Sequence, residues 1–144
     1  MGCYVQHSIE NNTVGTYKYS IGKMNTPNLN LEDGEELRIF VIGGWNERNL
    51  QECEVYNVNN ETWTTIASTE EPRLRSSAVV QDYRIFVAGG QTDGSPLSSI
   101  EIYDPFENKW SMCGSMSRTL FSHCMASLNG SIYVAGRYGK FFSK

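Results

Sequence analysis

The 144-residue chain is short of most groups that carry chemistry. It has two histidines, His7 and His123, far apart in sequence. Its four cysteines (Cys3, Cys53, Cys113 and Cys124) include no CxxC pair, so a zinc knuckle or dithiol redox motif has no support. Positive charge is scarce: 12 Lys and Arg stand against 16 Asp and Glu, a net charge of -4. That balance excludes a strongly basic nucleic-acid footprint. No apolar run approaches the ~20 residues that a membrane helix needs. GxSxG, P-loop and HExxH motifs are absent. No basic stretch followed by an apolar one comes after Met1, so a secretory leader is not expected. Gln6 stands where a myristoylation motif requires Ser or Thr. A cytoplasmic chain with reduced thiols is the reading that follows.

Proline is also scarce, at four residues, against 13 glycines and eight tyrosines. With 40% apolar residues, this composition describes a folded chain that leans towards β structure. Three Asn-X-Ser/Thr triplets begin at Asn11, Asn60 and Asn129. Each sits between apolar runs, where turn chemistry alone accounts for the asparagine.

Internal repetition is the main signal. Arg38-Ile-Phe-Val-Ile-Gly-Gly44, Arg84-Ile-Phe-Val-Ala-Gly-Gly90 and Ser131-Ile-Tyr-Val-Ala-Gly-Arg137 match, with their last residues 46 and 47 positions apart. Tyr56 and Trp63 are seven apart, as are Tyr103 and Trp110, and the two tryptophans are 47 apart. Each unit reads as four short strands. In one unit these are Ser76–Gln81, Arg84–Gly89, Ser99–Tyr103 and Lys109–Met112. Ile100 and Ile102 alternate with Glu101 and Tyr103, which is strand periodicity. Asp33-Gly34 and Asn129-Gly130 suit two-residue hairpins, which need positive φ. No stretch keeps a helical period. A unit this small cannot bury its sheet face alone, so it must stack on copies of itself. Trp and Tyr are suited to filling the gap between successive twisted sheets, so Tyr56, Trp63, Tyr103 and Trp110 are expected in the core.

The double glycine after four hydrophobic residues, followed by spaced Tyr and Trp, resembles the kelch repeat. Leu97-Ser-Ser-Ile-Glu-Ile-Tyr-Asp-Pro105, with Asn108-Lys-Trp110 and Met116, is similar to the kelch-like proteins that carry a BTB domain ahead of their repeats. Gln51-Glu-Cys-Glu-Val-Tyr-Asn57 with Asn60-Glu-Thr-Trp63 is a looser copy. The resemblance implies an all-β fold: a partial kelch β-propeller of about three four-stranded blades. Residues 1–23 then supply the third and fourth strands of an incomplete blade. Residues 24–68 and 69–115 are repeats, 116–137 is the first half of another, and 138–144 is an unmatched tail. Three blades are too few to close a ring. The chain is therefore expected to be a piece of a longer propeller, or else to associate with a second copy of itself.

In the family resembled, one face of the ring takes a protein or peptide. That face is built from the loops after each second strand and before each first strand. Here those are 45–52 and 91–98, with Tyr138 at the end, and 69–75 and 116–122. The resemblance puts Arg75 where some members place a substrate-contacting arginine, with Ser122 aligned to it in the next unit. Arg73 matches an arginine common in this loop, and Arg118 lies slightly early in its own. A guanidinium suits acidic peptides because it bonds carboxylates in bidentate fashion. Each of these arginines is also readable as a solvated loop residue. Trp45 and Asn46, after the first double glycine, are further candidates, with Trp45 equally readable as blade packing.

Two histidines do not suggest the converging ligand set of the copper or iron kelch enzymes, and His123 reads as structural. No enzyme activity, metal or cofactor is expected. The resemblance implies a protein-binding module, the substrate-recognition part of a cullin-3 ubiquitin-ligase adaptor. Cullin-3 itself would be held by a domain absent from these residues. The alternative is an actin-binding or scaffold kelch protein. No nucleic-acid or membrane partner is implied.

Overall fold

The structure is a computed structural model and describes residues 19–22 and 37–136. All regular elements among them are strands: β1 (Tyr19–Gly22), β2 (Arg38–Asn46), β3 (Arg48–Asn57), β4 (Thr62–Ile66), β5 (Ser77–Gln81), β6 (Arg84–Ala88), β7 (Gln91–Thr92), β8 (Ser95–Pro96), β9 (Ser99–Asp104), β10 (Lys109–Ser115), β11 (Cys124–Leu128) and β12 (Ser131–Ala135). Every ladder is antiparallel. β1-β2-β3-β4 form one four-stranded sheet and β5-β6-β9-β10 a second. β11 and β12 form a two-stranded sheet, and β7 and β8 a small hairpin. The described residues include no helix long and apolar enough to cross a membrane.

The strand periods read from the repeats appear as ladders. Ile85 faces Tyr103, which faces Trp110, and the same rank recurs as Ile39, Tyr56 and Trp63. The ring pairs are near-identical: 5.1 Å and 37° for Tyr103–Trp110, 5.0 Å and 39° for Tyr56–Trp63. Each sheet has a front, towards the next sheet, and a back. Phe40, Ile42 and Cys53 on the front of the first sheet meet Ile85, Val87, Tyr103 and Trp110 on the back of the second. The indole Nε1 of Trp110 donates to Ala67 O at 2.9 Å, so the ring stays bonded while its body fills the gap.

One boundary differs from expectation. Residues 19–22 were to close a preceding blade; instead β1 pairs with β2 as the first strand of the first sheet, with Gly22 opposite Arg38. Asp33-Gly34 falls outside the described residues. Asn129-Gly130 does turn β11 into β12, with φ of +51° and +73°. The equivalent turn between β5 and β6 uses Asp82-Tyr83, also at positive φ, without a glycine.

Cys53 is fully buried at the first-to-second sheet interface. Burial pushes its thiol up to about 11 from 9.0, and burial also raises the Tyr103 phenol. A raised acid pKa favours the neutral form in the fold. Its contribution is complete below pH 9 and is lost as pH rises towards 11. The folding equilibrium should therefore weaken by up to about tenfold per pH unit across that window, and Cys53→Ala should flatten the slope. Denaturant titrations at several pH values read this directly; identical slopes in both chains would mean that Cys53 is not buried as a neutral thiol.

Candidate functional site

Strands of alternating direction bring the connections after β2, β4, β6 and β10 to one end of the arc. Main-chain hydrogen bonds stitch them together in a repeating scheme. Gly44 N donates to Arg73 O (2.8 Å), and Gly90 N to Leu120 O (2.7 Å). Arg73 N donates to Leu50 O (2.9 Å), and Leu120 N to Leu97 O (3.1 Å). Thr69 N donates to Gln51 O (2.9 Å), and Met116 N to Ser98 O (2.8 Å). The four connections thus form one surface.

Two of them are more ordered than a polar loop. The segment after β2 is a tight turn in which Asn46 pairs with Arg48 across Glu47, at φ +57°. The segment after β6 is the β7–β8 hairpin, turned by Asp93-Gly94 at φ +46° and +79°. Asn49 Nδ2 donates to Asp93 Oδ1 at 3.0 Å and ties the two projections together. Arg48 pairs with Glu52 on this surface, and that hydrogen bond holds the Glu52 carboxyl below its ordinary range. Both side chains are well exposed, so the pair orients the tip and contributes little to stability.

Arg73 is not a contact residue, contrary to the expectation from its position. It is 0% exposed. Its Nη2 and Nε donate to Glu101 Oε1 at 2.7 and 3.0 Å. Nη1 donates to Gly89 O at 2.8 Å, and Nη2 to Ser99 Oγ at 2.9 Å and Glu71 Oε2 at 3.2 Å. Glu101 is likewise 0% exposed and also accepts from the backbone N–H groups of Glu70 (2.6 Å) and Glu71 (3.2 Å). A guanidinium can be buried here because its donors are spent on carboxylates and carbonyls. The pair pins the 67–76 connection to β9.

The other candidates stay on the surface. Arg75 is exposed, with φ +57°, and its carbonyl accepts from Ser122 N at 2.8 Å. Ser122 is exposed, at φ +53°, 47 residues on, so the two positions are repeat equivalents in conformation as well as in sequence. The left-handed conformation is costly for a side-chain-bearing residue and turns both side chains off the regular strand path. Arg118 is exposed on the neighbouring connection, Trp45 is exposed at the start of the first projection, and Asn46 beside it is half-buried. Neither Arg75 nor Arg118 pairs with a carboxylate among the described residues. Tyr138 lies outside the described residues. His123 is buried before β11, packed where a Cβ on Gly89 or Gly136 would strike it.

Sequence reasoning did not single out Arg48, Asn49, Glu52 or Asp93. Asp93-Gly94 is a hairpin dipeptide, so the second projection was open to detection. Arg48–Glu52 has i,i+4 spacing inside a hairpin, where that spacing alone signals nothing.

The comparisons with known proteins agree with one another. The Kelch motif family profile matches residues 37–69 and 72–117. Kelch-like protein 26 of Danio rerio is 28% identical over 107 residues, covering 70% of this chain and 18% of that protein. Kelch-like protein 40 of Mus musculus is 33% identical over 102 residues, covering 69% and 16%. Kelch-like protein 7 of Rattus norvegicus is 37% identical over 87 residues, covering 60% and 15%. The chain thus spans less than a fifth of the length of these relatives. The solved structure of YjhT superposes with a TM-score of 0.58 at 18% identity, covering 67% of this chain and 30% of that one, a likeness of fold.

Proposed function

The chain belongs to the kelch-repeat family, and from that premise we propose that its stitched loop surface is the recognition face of a protein-binding module. The observation that carries this is the grouping of exposed Arg75, Arg118, Ser122 and Trp45 on three of the four connections joined by main-chain hydrogen bonds. A preorganised surface loses little freedom when a partner docks. Two arginines with no carboxylate partner among the described residues suit an acidic peptide segment, and Trp45 adds a rigid apolar contact. We propose further that the chain is the substrate-recognition part of a cullin-3 ubiquitin-ligase adaptor acting in the cytoplasm, a reading supported only by its likeness to kelch-like proteins. In that reading cullin-3 engages another part of the complete protein.

Titrating the chain with a library of Asp/Glu-rich peptides by fluorescence anisotropy tests this. Arg75→Ala should weaken the best binder by about tenfold, the size of one charge-assisted hydrogen bond. Lys109→Ala, at the opposite end of β10, should leave binding unchanged. Equal losses from both would remove the face assignment. Co-sedimentation with actin filaments, unaffected by Arg75→Ala, would place the function on another surface.

A further inference from the structure

The strand ends away from the stitched loops carry a different chemistry. β6 and β9 pair with Ile85 opposite Tyr103, so the turn before β6 and the turn after β9 lie side by side at that end. Tyr83 occupies the first turn and is 45% exposed; Phe106 occupies the second and is 67% exposed. Tyr83 holds φ +60°, a conformation costly for a residue with a side chain. Gly130, 47 residues on in the equivalent turn, takes φ +73° without that cost. Phe106 is held by Asp104, whose Oδ1 accepts from Phe106 N at 2.9 Å and from Glu107 N at 3.4 Å. Neither ring belongs to the core cluster between the sheets. Each has an exposed carboxylate residue beside it in sequence: Asp82 before Tyr83, and Glu107 after Phe106. Arg84 is engaged by Asp104 at 3.2 Å, and Lys109 stands opposite Asp104 in the ladder. Asp82 and Glu107 make no ion pair among the described residues.

We propose that this end of the second sheet is a second protein-binding surface, for a basic segment whose Lys or Arg side chains lie over Tyr83 and Phe106 and pair with Asp82 and Glu107. An aromatic face attracts a cation through its quadrupole, and a neighbouring carboxylate adds direct charge attraction. Backbone strain retained at one position points to use of the side chain that bears it. Tyr83 meets that condition, because Gly130 makes the equivalent turn without a side chain. Tyrosine is also a residue type that binding surfaces favour. The occupant follows from the charge left over. Arg84 is already engaged, Lys109 faces Asp104, and two carboxylates remain. An acidic segment would be repelled, and an apolar one would leave both carboxylates unanswered. The surface lies at the opposite end of the sheet from the loop surface of Arg75 and Arg118, and its preference is of opposite sign.

The test is fluorescence anisotropy of the 144-residue chain with a fluorescein-labelled peptide of repeating Lys-Arg-Gly-Ser, beside an Ala-Leu-Gly-Ser counterpart. The basic peptide should bind, and added salt should weaken it as exposed charges are screened. Tyr83→Gly and Phe106→Ala should each weaken it about fivefold, and together about 25-fold. Tyr83→Gly should meanwhile melt no lower than the wild type, because Asp-Gly suits a two-residue hairpin. A tyrosine that served folding alone would give the reverse: a lower melting midpoint and unchanged affinity. Glu107→Lys should weaken binding about tenfold or more. Glu47→Lys, the same charge change on the exposed turn after β2 at the loop end, should cost about twofold at most. Equal losses from the two lysine variants would mean that net charge alone attracts the peptide, and would overturn the proposal. So would absence of binding at low salt, a tighter fit for the Ala-Leu-Gly-Ser peptide, or a Tyr83→Gly chain that binds as the wild type does. Arg75→Ala should leave the basic peptide's affinity unchanged, so the outcome at the loop surface is read separately.

Discussion

Gly89→Val is expected to abolish cooperative folding, and Gly89→Ala to lower the thermal midpoint by roughly 10 °C or more. Gly89 sits at φ +57°, and a Cβ there would lie 2.4 Å from Leu120 O and 2.9 Å from both His123 Cε1 and Met116 Cε. Leu120 O is itself committed, accepting from Gly90 N at 2.7 Å. Main chain cannot swing aside as a side-chain tip can, so the seam must open. The left-handed conformation costs about 1–2 kcal/mol for an L-residue. Each main-chain hydrogen bond lost at the seam adds about 1 kcal/mol, and a β-branched residue fits worse still. Gly94→Ala is the internal control. It shares a positive φ of +79° but has nothing within 4 Å, so it should show backbone strain alone. Circular dichroism melts of the three variants read the difference. A Gly89→Val chain that melts with the wild type would mean the seam is not made as described.

Arg73→Met should destabilise the chain by about 3–5 kcal/mol, the cost of leaving a buried charge without its partner. Glu101 would keep only the two N–H groups of Glu70 and Glu71. Glu101→Leu alone should cost a similar amount, since Arg73 would keep Glu71, the Ser99 hydroxyl and two carbonyls but lose its tightest acceptor. The double variant, Arg73→Met with Glu101→Leu, should recover most of the loss, because an apolar pair of similar volume carries no desolvation burden. Urea denaturation of the full cycle measures the coupling. A double variant as unstable as the sum of the singles would show that the two side chains act independently. Peptide affinity should fall with either single change through displacement of the 67–76 connection, without any contact between Arg73 and the peptide.

Much of the architecture was legible because it rests on local alternation. Ile100 and Ile102 mark β9 by period two, and Tyr103, expected in the core with Trp110, is buried opposite it. The site was legible only as a set of connections. Strand direction determines which end they share, but burial of Arg73 depends on Glu101, 28 residues later and on another strand. From sequence alone Arg73 and Arg75 are two arginines in one loop. The fold separates them by turning one under the surface and holding the other left-handed above it. The tight turn around Asp82 was legible from the strands that flank it; its positive φ at Asp82 and Tyr83 without a glycine was not, because it is imposed by the ladder of β5 and β6.

The seams between neighbouring units join carbonyls to amides, and the residue that supplies the acceptor differs from one seam to the next: Arg73 at the first, Leu120 at the second. The acceptor is in each case a main-chain carbonyl, which does not by itself specify the side chain beside it. An acceptor position can hold a buried cation in one unit and an aliphatic residue in the next while neighbours remain joined. Mechanical continuity along the arc and chemical variety on its rim are thus written in separate atoms. The rim can be recoded residue by residue for a new partner without loosening the chain that displays it.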